Sequence, residues 1–346
     1  MAASPPTTPV PRLRAAAPSR ALGLALALAV LVALMAASLA IGTRSIDLST
    51  VVDALLHGGD GDEAVIVRDL RVPRTLLGLA VGVALGLAGA LMQALTRNPL
   101  ADPGLLGVNA GAAAAVVFAI GVLGVGSLTG YVWFAFAGAA VASVVVYAIG
   151  AVGRGGASPV RLALAGTAVT AALTALTQAL TLLDRDTFDQ WRAWSVGALS
   201  GRDADTLGQV APFLVVGVLL ALALGRALNA IALGDETGRA LGARIGRTRL
   251  LGALSITLLC GGATAAIGPI FFVGLTVPHV ARAIVGADQR WVLAHSMLLA
   301  PILLLAADIV GRVVARPGEL QVGIVTALLG APVFIAIVRR RRIAHL

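Results

Sequence analysis

The chain has 346 residues, of which 58% are hydrophobic and only 12% are charged. A soluble domain carries roughly 25% charged residues, and the charges here cluster between long uncharged stretches, so the composition excludes an ordinary soluble protein. The formal net charge of +9 comes from 26 arginines and no lysine. Such a charge could suggest nucleic acid, but the distribution of the arginines described below accounts for it at a membrane surface instead.

Uncharged runs long enough to span a membrane recur along the chain, since a helix needs about 20 apolar residues to cross the hydrocarbon core. Residues 1–20, rich in proline and alanine, are predicted to form a disordered cytoplasmic tail. The first run, 21–42, also resembles a secretory signal peptide, but its length and the membrane character of the remaining chain favour a retained span. The further runs are 75–96, 103–153, 162–183, 206–225, 250–281, 291–307 and 320–338.

Two of these runs are long enough for two spans each. Residues 126–130 supply a turn within 103–153, and Gly268-Pro269 divides 250–281 because proline lacks the donor that a helix interior needs. Both spans around Gly268-Pro269 are expected to be short and surrounded by protein. The total of ten spans predicts an all-α polytopic membrane protein, with a permease domain over residues 21–340 and a cytoplasmic tail over 341–346.

The distribution of charge predicts which side of the membrane each connection faces. The segments on the same side as the N-terminus hold 17 arginines and four acidic residues, whereas the opposite segments hold nine arginines and twelve acidic residues. Because cytoplasmic loops are enriched in positive charge, both termini are predicted to be cytoplasmic in a cell membrane. The four arginines at 339–342 then anchor the chain at the lipid surface, and no nucleic-acid partner is expected.

Few side chains in the sequence are candidates for catalysis, nucleotide binding or metal binding. A nucleotide-binding P-loop needs a lysine, which the chain lacks, so any ATP hydrolysis must occur on another subunit. The histidines lack partners at metal-ligand spacing, and Cys260 lies in an apolar run. A membrane-embedded enzyme would need a polar cluster facing one cavity, and the sequence presents none. We therefore predict no catalytic, cofactor or metal site and no enzymatic activity.

Asp308 is the one acidic residue placed within or near a span. Ion-coupled secondary transporters place ionisable groups near the bilayer midplane, so Asp308 leaves such a transporter of a bulky solute as the alternative function. Arg312 lies one helical turn further along, where it can neutralise the carboxylate. A structural ion pair near the outer end of the span is the favoured interpretation.

The largest polar segment between spans is 226–249, on the predicted cytoplasmic side. Gly234 and Gly242 are predicted to divide it into short helices, one of which begins with Asp235 and Glu236. Loops of this length are often functional. A solvated amphipathic surface segment is the alternative interpretation.

Five ordered blocks of sequence, at 71–76, 89–107, 268–279, 306–312 and 319–334, resemble the FecCD-type permeases of ABC importers for iron-siderophores, haem and cobalamin. The resemblance covers roughly residues 47–340. It implies ten helices arranged as the inverted repeat of a type II importer. It also implies a second permease subunit (a copy or a homologue), a cytoplasmic ATPase dimer and an external substrate-binding protein. Ferric siderophore is the first expected cargo, followed by haem and cobalamin.

The resemblance also implies roles for single residues. The external arginines that receive acidic residues of the binding protein are matched by Arg71, Arg74 and Arg312, for which anchoring at the membrane interface is the alternative. The helices that couple to the ATPase are matched by residues 233–249, with contacts expected from Leu233, Gly234, Arg239, Leu241, Gly242 and Arg244.

The resemblance places the narrow inner end of the pathway at two turns. These turns contain Asn98 and Leu100, and Ser158, Pro159 and Val160. Pro159 and Val160 depart from the small hydroxyl residues that the family favours, and turn formation alone is the alternative role. Gln93 and Gln178 are expected to be rare polar side chains along walls of alanine, glycine, leucine and threonine.

Overall fold

The computed structural model describes residues 17–59, 61–152 and 159–339, and the elements within these ranges are helical. A π-helical turn (Ile66–Arg71) precedes α4 and a 3-10 turn (Pro103–Leu106) precedes α5. The helices are α1 (Ala17–Ala40), α2 (Leu48–Leu56), α3 (Asp62–Val65), α4 (Val72–Thr96), α5 (Val108–Gly121), α6 (Leu128–Ala151), α7 (Pro159–Leu183), α8 (Arg185–Ser195), α9 (Ala204–Ala223), α10 (Gly225–Ala232), α11 (Asp235–Ala240), α12 (Ile245–Ile267), α13 (Val273–Val285), α14 (Gln289–Val314) and α15 (Val322–Arg339).

Seven of the described helices are long and apolar enough to cross a membrane, namely α1, α4, α6, α7, α9, α12 and α14. Three shorter apolar helices, α5, α13 and α15, lie on the remaining predicted runs. The all-helical polytopic fold is thereby confirmed. The remaining helices, α2, α3, α8, α10 and α11, lie in the connections between them.

The structure corrects two boundaries. The run after residue 250 was expected to form two short spans, but α12 begins at Ile245 and has 23 residues, so only α13, with 13 residues, is short. Arg249 can lie within the first turns of this apolar helix because its charge is paired with Asp235. At the N-terminus, α1 already begins at Ala17, while residues 1–16 and 340–346 lie outside the described residues.

α4 lies at the centre of the bundle and is buried along most of its length. A Cβ added at Gly82 would overlap the backbone of Pro301 in α14, and one added at Gly89 would overlap the backbone of Gly274 in α13. Small residues let helices in a membrane approach closely. The glycines of α4 therefore allow direct backbone contact with α13 and α14.

α4 and α12 are the second and seventh apolar helices, and they pack against each other. They run in opposite directions, because Arg97 at the end of α4 and Arg249 near the start of α12 both lie beside Asp235. Each is followed by a break and a short apolar helix: the 3-10 turn and α5 after α4, and Gly268-Pro269 and α13 after α12. α4 is about 37 Å long at 1.5 Å per residue. It begins at the arginine end of the bundle, defined by Arg71, Arg74 and Arg312, and finishes at the Asp235 end, defined by Asp235 and α11.

Candidate functional site

The arginine end contains a buried network of ion pairs. Arg74 donates to Asp308 of α14, with its Nη2 2.8 Å from Oδ1, and to Oε2 of Glu319 at 2.8 Å. Arg312 lies 3.0 Å from the second oxygen of the same aspartate, and both of these side chains are almost fully buried. The predicted ion pair between Asp308 and Arg312 is confirmed. Because Arg74 also neutralises Asp308, this carboxylate is not free to bind a coupling ion.

Arg71 and Arg312 also cap the C-terminal end of α1 by hydrogen bonding to its last carbonyl groups. Arg71 donates to the carbonyl oxygens of Leu39 at 2.6 Å and Ala40 at 2.8 Å. Arg312 donates to the carbonyl oxygens of Ser38 and Ile41, each at 2.9 Å. The last carbonyls of a helix have no partner within it and carry partial negative charge. The guanidinium groups donate hydrogen bonds to these carbonyls and offset their partial negative charge. They thereby fix α1, which is largely unburied, to α4 and α14.

A cavity of about 190 Å³ opens among these side chains. It is lined by Gly42, Thr43, Arg44, Ile66, Leu70, Arg71, Arg74, Arg312 and Glu319. The four arginines Arg44, Arg71, Arg74 and Arg312 exceed their acidic partners, Glu63, Asp308 and Glu319, by one positive charge. A carboxylate from outside the chain is therefore the kind of group that this cavity attracts.

At the Asp235 end, the segment predicted to couple to an ATPase, residues 233–249, forms α11 and the first turn of α12, and α10 directly precedes it. Gly234 and Gly242 have positive φ angles of 101° and 84° and bound α11, as the sequence predicted. Leu233 and Leu241 are 61% and 65% exposed, and Arg239, Gly242 and Arg244 are also exposed. Ile245, the first residue of α12, is instead buried within this chain. The segment thus presents leucines among arginines at one end of the bundle.

This segment is tied to the bundle by polar contacts. The Asp235 carboxylate lies 2.9 Å from Arg249 of α12 and 3.5 Å from Arg97 at the end of α4. Asn229 of α10 donates to the side chain of Asp288, which caps α14, at 2.8 Å. Burial opposes ionisation of Asp288, but the hydrogen bonds from Asn229 and from the backbone of Arg290 hold the pKa of this carboxyl below its ordinary value.

The residues expected at the inner end of the pathway lie beside the Asp235 end. The side chain of Asn98 accepts a hydrogen bond of 3.0 Å from the backbone of Leu100 and so shapes the turn after α4. Burial raises the pKa of the neighbouring Asp102 carboxyl, which accepts a hydrogen bond from the backbone of Gly104. Pro159 begins α7 and Val160 is exposed, while Ser158 lies outside the described residues.

The two glutamines have different surroundings. Gln178 is exposed on α7, as a pathway residue would be. Gln93 is fully buried; it donates to the carbonyl oxygen of Leu275 at 2.9 Å and accepts from Arg282, so it joins α4 to α13 instead of lining an open wall. Among the described residues, no group of three acidic, histidine or cysteine side chains could hold a metal ion.

Residues 30–340 match the model of the FecCD transport family. The chain belongs to this family. It is 51% identical to the ferric enterobactin transport system permease protein FepD of Escherichia coli (strain K12), over 93% of this chain and 96% of that protein. It is 36% identical to the hemin transport system permease protein HmuU of Yersinia pestis, over 94% and 97% of the two chains. The resemblance drawn from the sequence blocks is confirmed, and the chain is a transport permease.

A solved structure supports the same assignment at the level of fold. It is described as an inward-facing conformation of a metal-chelate type ABC transporter. The TM-score is 0.81 at 26% identity, and the match covers 93% of this chain and 99% of the other. The ten apolar helices in the described part of the chain therefore form an ABC importer permease.

Several polar contacts were not predicted from the sequence. Glu319 and Arg74 are 245 residues apart, and Asp235 and Arg97 are far apart as well, so no local spacing reveals these pairs. A signal was available for the packing of α4, because Gly78, Gly82, Gly86 and Gly89 recur on one face of a single helix.

Proposed function

We propose that this chain is the membrane permease of an ABC importer that carries a ferric siderophore. The 51% identity to a ferric enterobactin permease over nearly all of both chains is the observation that carries the proposal. ATP is hydrolysed by a separate cytoplasmic ATPase dimer, because this chain has no lysine with which to build a P-loop. A substrate-binding protein delivers the chelate, and a second permease subunit completes the pathway.

We propose that the pathway runs along the exposed face of α7. Thr167, Ala171, Thr174 and Gln178 are spaced by three or four residues, and all four are exposed. Residues at this spacing share one face of a helix. Small and polar side chains are a poor match for lipid tails but suit a wet passage between two permease subunits. The pathway favours passage over tight recognition, so chelate specificity belongs to the binding protein.

Both termini are proposed to be cytoplasmic, with the Asp235 end inside and the arginine end outside. Cys260 is buried and is the only cysteine, so a Cys260→Ala background is suitable for labelling. In that background, His57→Cys is expected to react with a membrane-impermeant maleimide in intact cells. Glu236→Cys is expected to react only after permeabilisation. Labelling of Glu236→Cys from outside would overturn this orientation.

The binding protein is proposed to dock over the cavity at the arginine end. Arg71, Arg74 and Arg312 already donate to groups of this chain, so their part in docking is the positive field of the cavity. Such a field steers encounter with an acidic surface and weakens as salt is added. Docking of the binding protein is therefore expected to depend strongly on ionic strength.

The test of the function is uptake in liposomes that contain this chain, its ATPase and its binding protein. Ferric siderophore is expected to accumulate only when ATP is inside with the ATPase, and haemin and cobalamin are to be compared under the same conditions. Collapse of the proton and sodium gradients with ionophores should leave uptake unchanged. Uptake that persists without ATP and disappears with an ion gradient would instead establish the secondary transporter.

A further inference from the structure

The coupling segment is attached to the rest of the chain through Asp235, and this attachment has a specific geometry. The carboxylate of Asp235, at the first position of α11, accepts from Nη2 of Arg249 at 2.9 and 3.1 Å, through both of its oxygens. Nη2 of Arg97 lies 3.5 Å from the same carboxylate. The side chains of Asp235, Arg249 and Arg97 are 28%, 17% and 34% exposed. One carboxylate therefore joins α11 to both α12 and α4.

We propose that Asp235 is the residue that transmits movement of α11 to the inner end of the pathway. The proposal rests on the proposed function, in which an ATPase moves α11, and it adds how that movement reaches the spans. It assigns to Asp235 a positioning role: the residue acts on the pathway through Arg97 and Arg249, and it does not itself contact the cargo.

Arg97 connects this carboxylate to the turn that narrows the pathway. It closes α4 in the left-handed conformation, with φ 49°, and is followed directly by the turn of Asn98 and Leu100. A pull on the Arg97 side chain therefore acts on the residue from which that turn departs.

Arg249 connects the same carboxylate to the helices around the start of α7. Its side chain lines a small cavity together with Met92 of α4, Tyr147 of α6 and Leu162 of α7. Leu162 lies one turn after Pro159, where α7 begins. Arg249 thus faces α4, α6 and α7 across one shared space, so a displacement of its side chain changes the packing room available to all three helices.

The glycines at the ends of α11 explain why an ionic link is needed. Gly234 and Gly242 both have positive φ, and α11 between them has only six residues. Backbone joints of this kind absorb rotation. The link from Asp235 limits rotation of α11 about these glycines and adds a charged connection to α4 and α12 beside the packing of Gly238 against Ala230 and Ile245.

The experiment uses the full complex of this chain, its ATPase and its binding protein in liposomes. Asp235→Asn keeps the size of the side chain and removes its charge. We expect the ATPase to co-purify as with the wild type and ATP hydrolysis to continue, while ferric siderophore taken up per ATP falls by roughly fivefold or more. Asp235→Glu should recover much of the uptake. The matched control is Asp189→Asn, the same substitution at an aspartate of α8 that also pairs with an arginine, Arg192, at 3.5 Å; it should leave all three measurements unchanged.

A double-variant cycle tests the route through Arg97. Arg97→Gln should reproduce the uncoupling, and the double variant with Asp235→Asn should be little worse than either single variant, since both remove one link. Wild-type uptake per ATP in Asp235→Asn would overturn the proposal. Loss of the ATPase from the Asp235→Asn complex would also overturn it, because Asp235 would then build the docking surface. Failure of the wild-type chain to bind the ATPase would instead refute the proposed function.

Discussion

Replacing Leu241 by aspartate is expected to remove the ATPase from the purified complex while the chain still inserts into the membrane. Leu241 is 65% exposed at the end of α11, next to exposed Arg239 and Arg244. Burying a carboxylate without a partner at an interface costs roughly 3–5 kcal/mol, which corresponds to a loss of affinity of at least about a hundredfold. The measurement is co-purification of the ATPase on the tagged permease.

Control variants distinguish loss of the ATPase-binding surface from general misfolding of the permease. Leu56→Asp places the same change on a leucine that is 73% exposed in α2, at the arginine end of the bundle, and should leave the ATPase bound. Gly242→Trp should also release the ATPase. Gly242→Ala shares the strain of a positive φ of 84° without the bulk, so it should have a smaller effect. Retention of the ATPase by the Leu241 and Gly242→Trp variants would show that the segment is only a solvated loop.

The spans could be predicted from the sequence because lipid penalises charge so strongly that uncharged runs mark them. The break at Gly268-Pro269 was equally visible, since proline cannot donate within a helix. The start of α12 was not predicted, because Arg247 and Arg249 appeared to close the run. A charge at a helix end is tolerated once it is paired, and the partner, Asp235, lies 14 residues away in a different helix.

In the candidate site, too, contacts between residues close in sequence could be predicted, whereas contacts between distant residues could not. The pair of Asp308 and Arg312 could be predicted because residues four apart meet on one face of a helix. The acceptors of Arg71 and Arg312 could not, because they are backbone carbonyls at the end of α1, and a sequence does not state which carbonyls lack partners. Arginines predicted as docking residues therefore also proved to hold the fold together.

Arg312→Ala is expected to destabilise the arginine end severely. The side chain is 2% exposed and makes an ion pair with Asp308, and it donates to two carbonyl oxygens and the hydroxyl of Ser38 in α1. Breaking a buried pair costs roughly 3–5 kcal/mol, and the freed acceptors of α1 add to this cost. We expect a large fall in the melting temperature of the detergent-purified chain, followed by size-exclusion fluorescence.

Two further variants decide whether the fold or the docking depends on each arginine. Arg192→Ala removes an arginine of α8 whose side chain is 66% exposed, and its melting temperature should equal that of the wild type. Arg44→Glu reverses a charge that is 61% exposed at the cavity, so it should leave the melting temperature nearly unchanged while weakening capture of the binding protein at low salt. An Arg312→Ala chain that melts like the wild type yet loses the binding protein would show that Arg312 serves docking and not the anchoring of α1. A chain that melts at a clearly lower temperature than the wild type is instead the result that the carbonyl contacts of Arg312 predict.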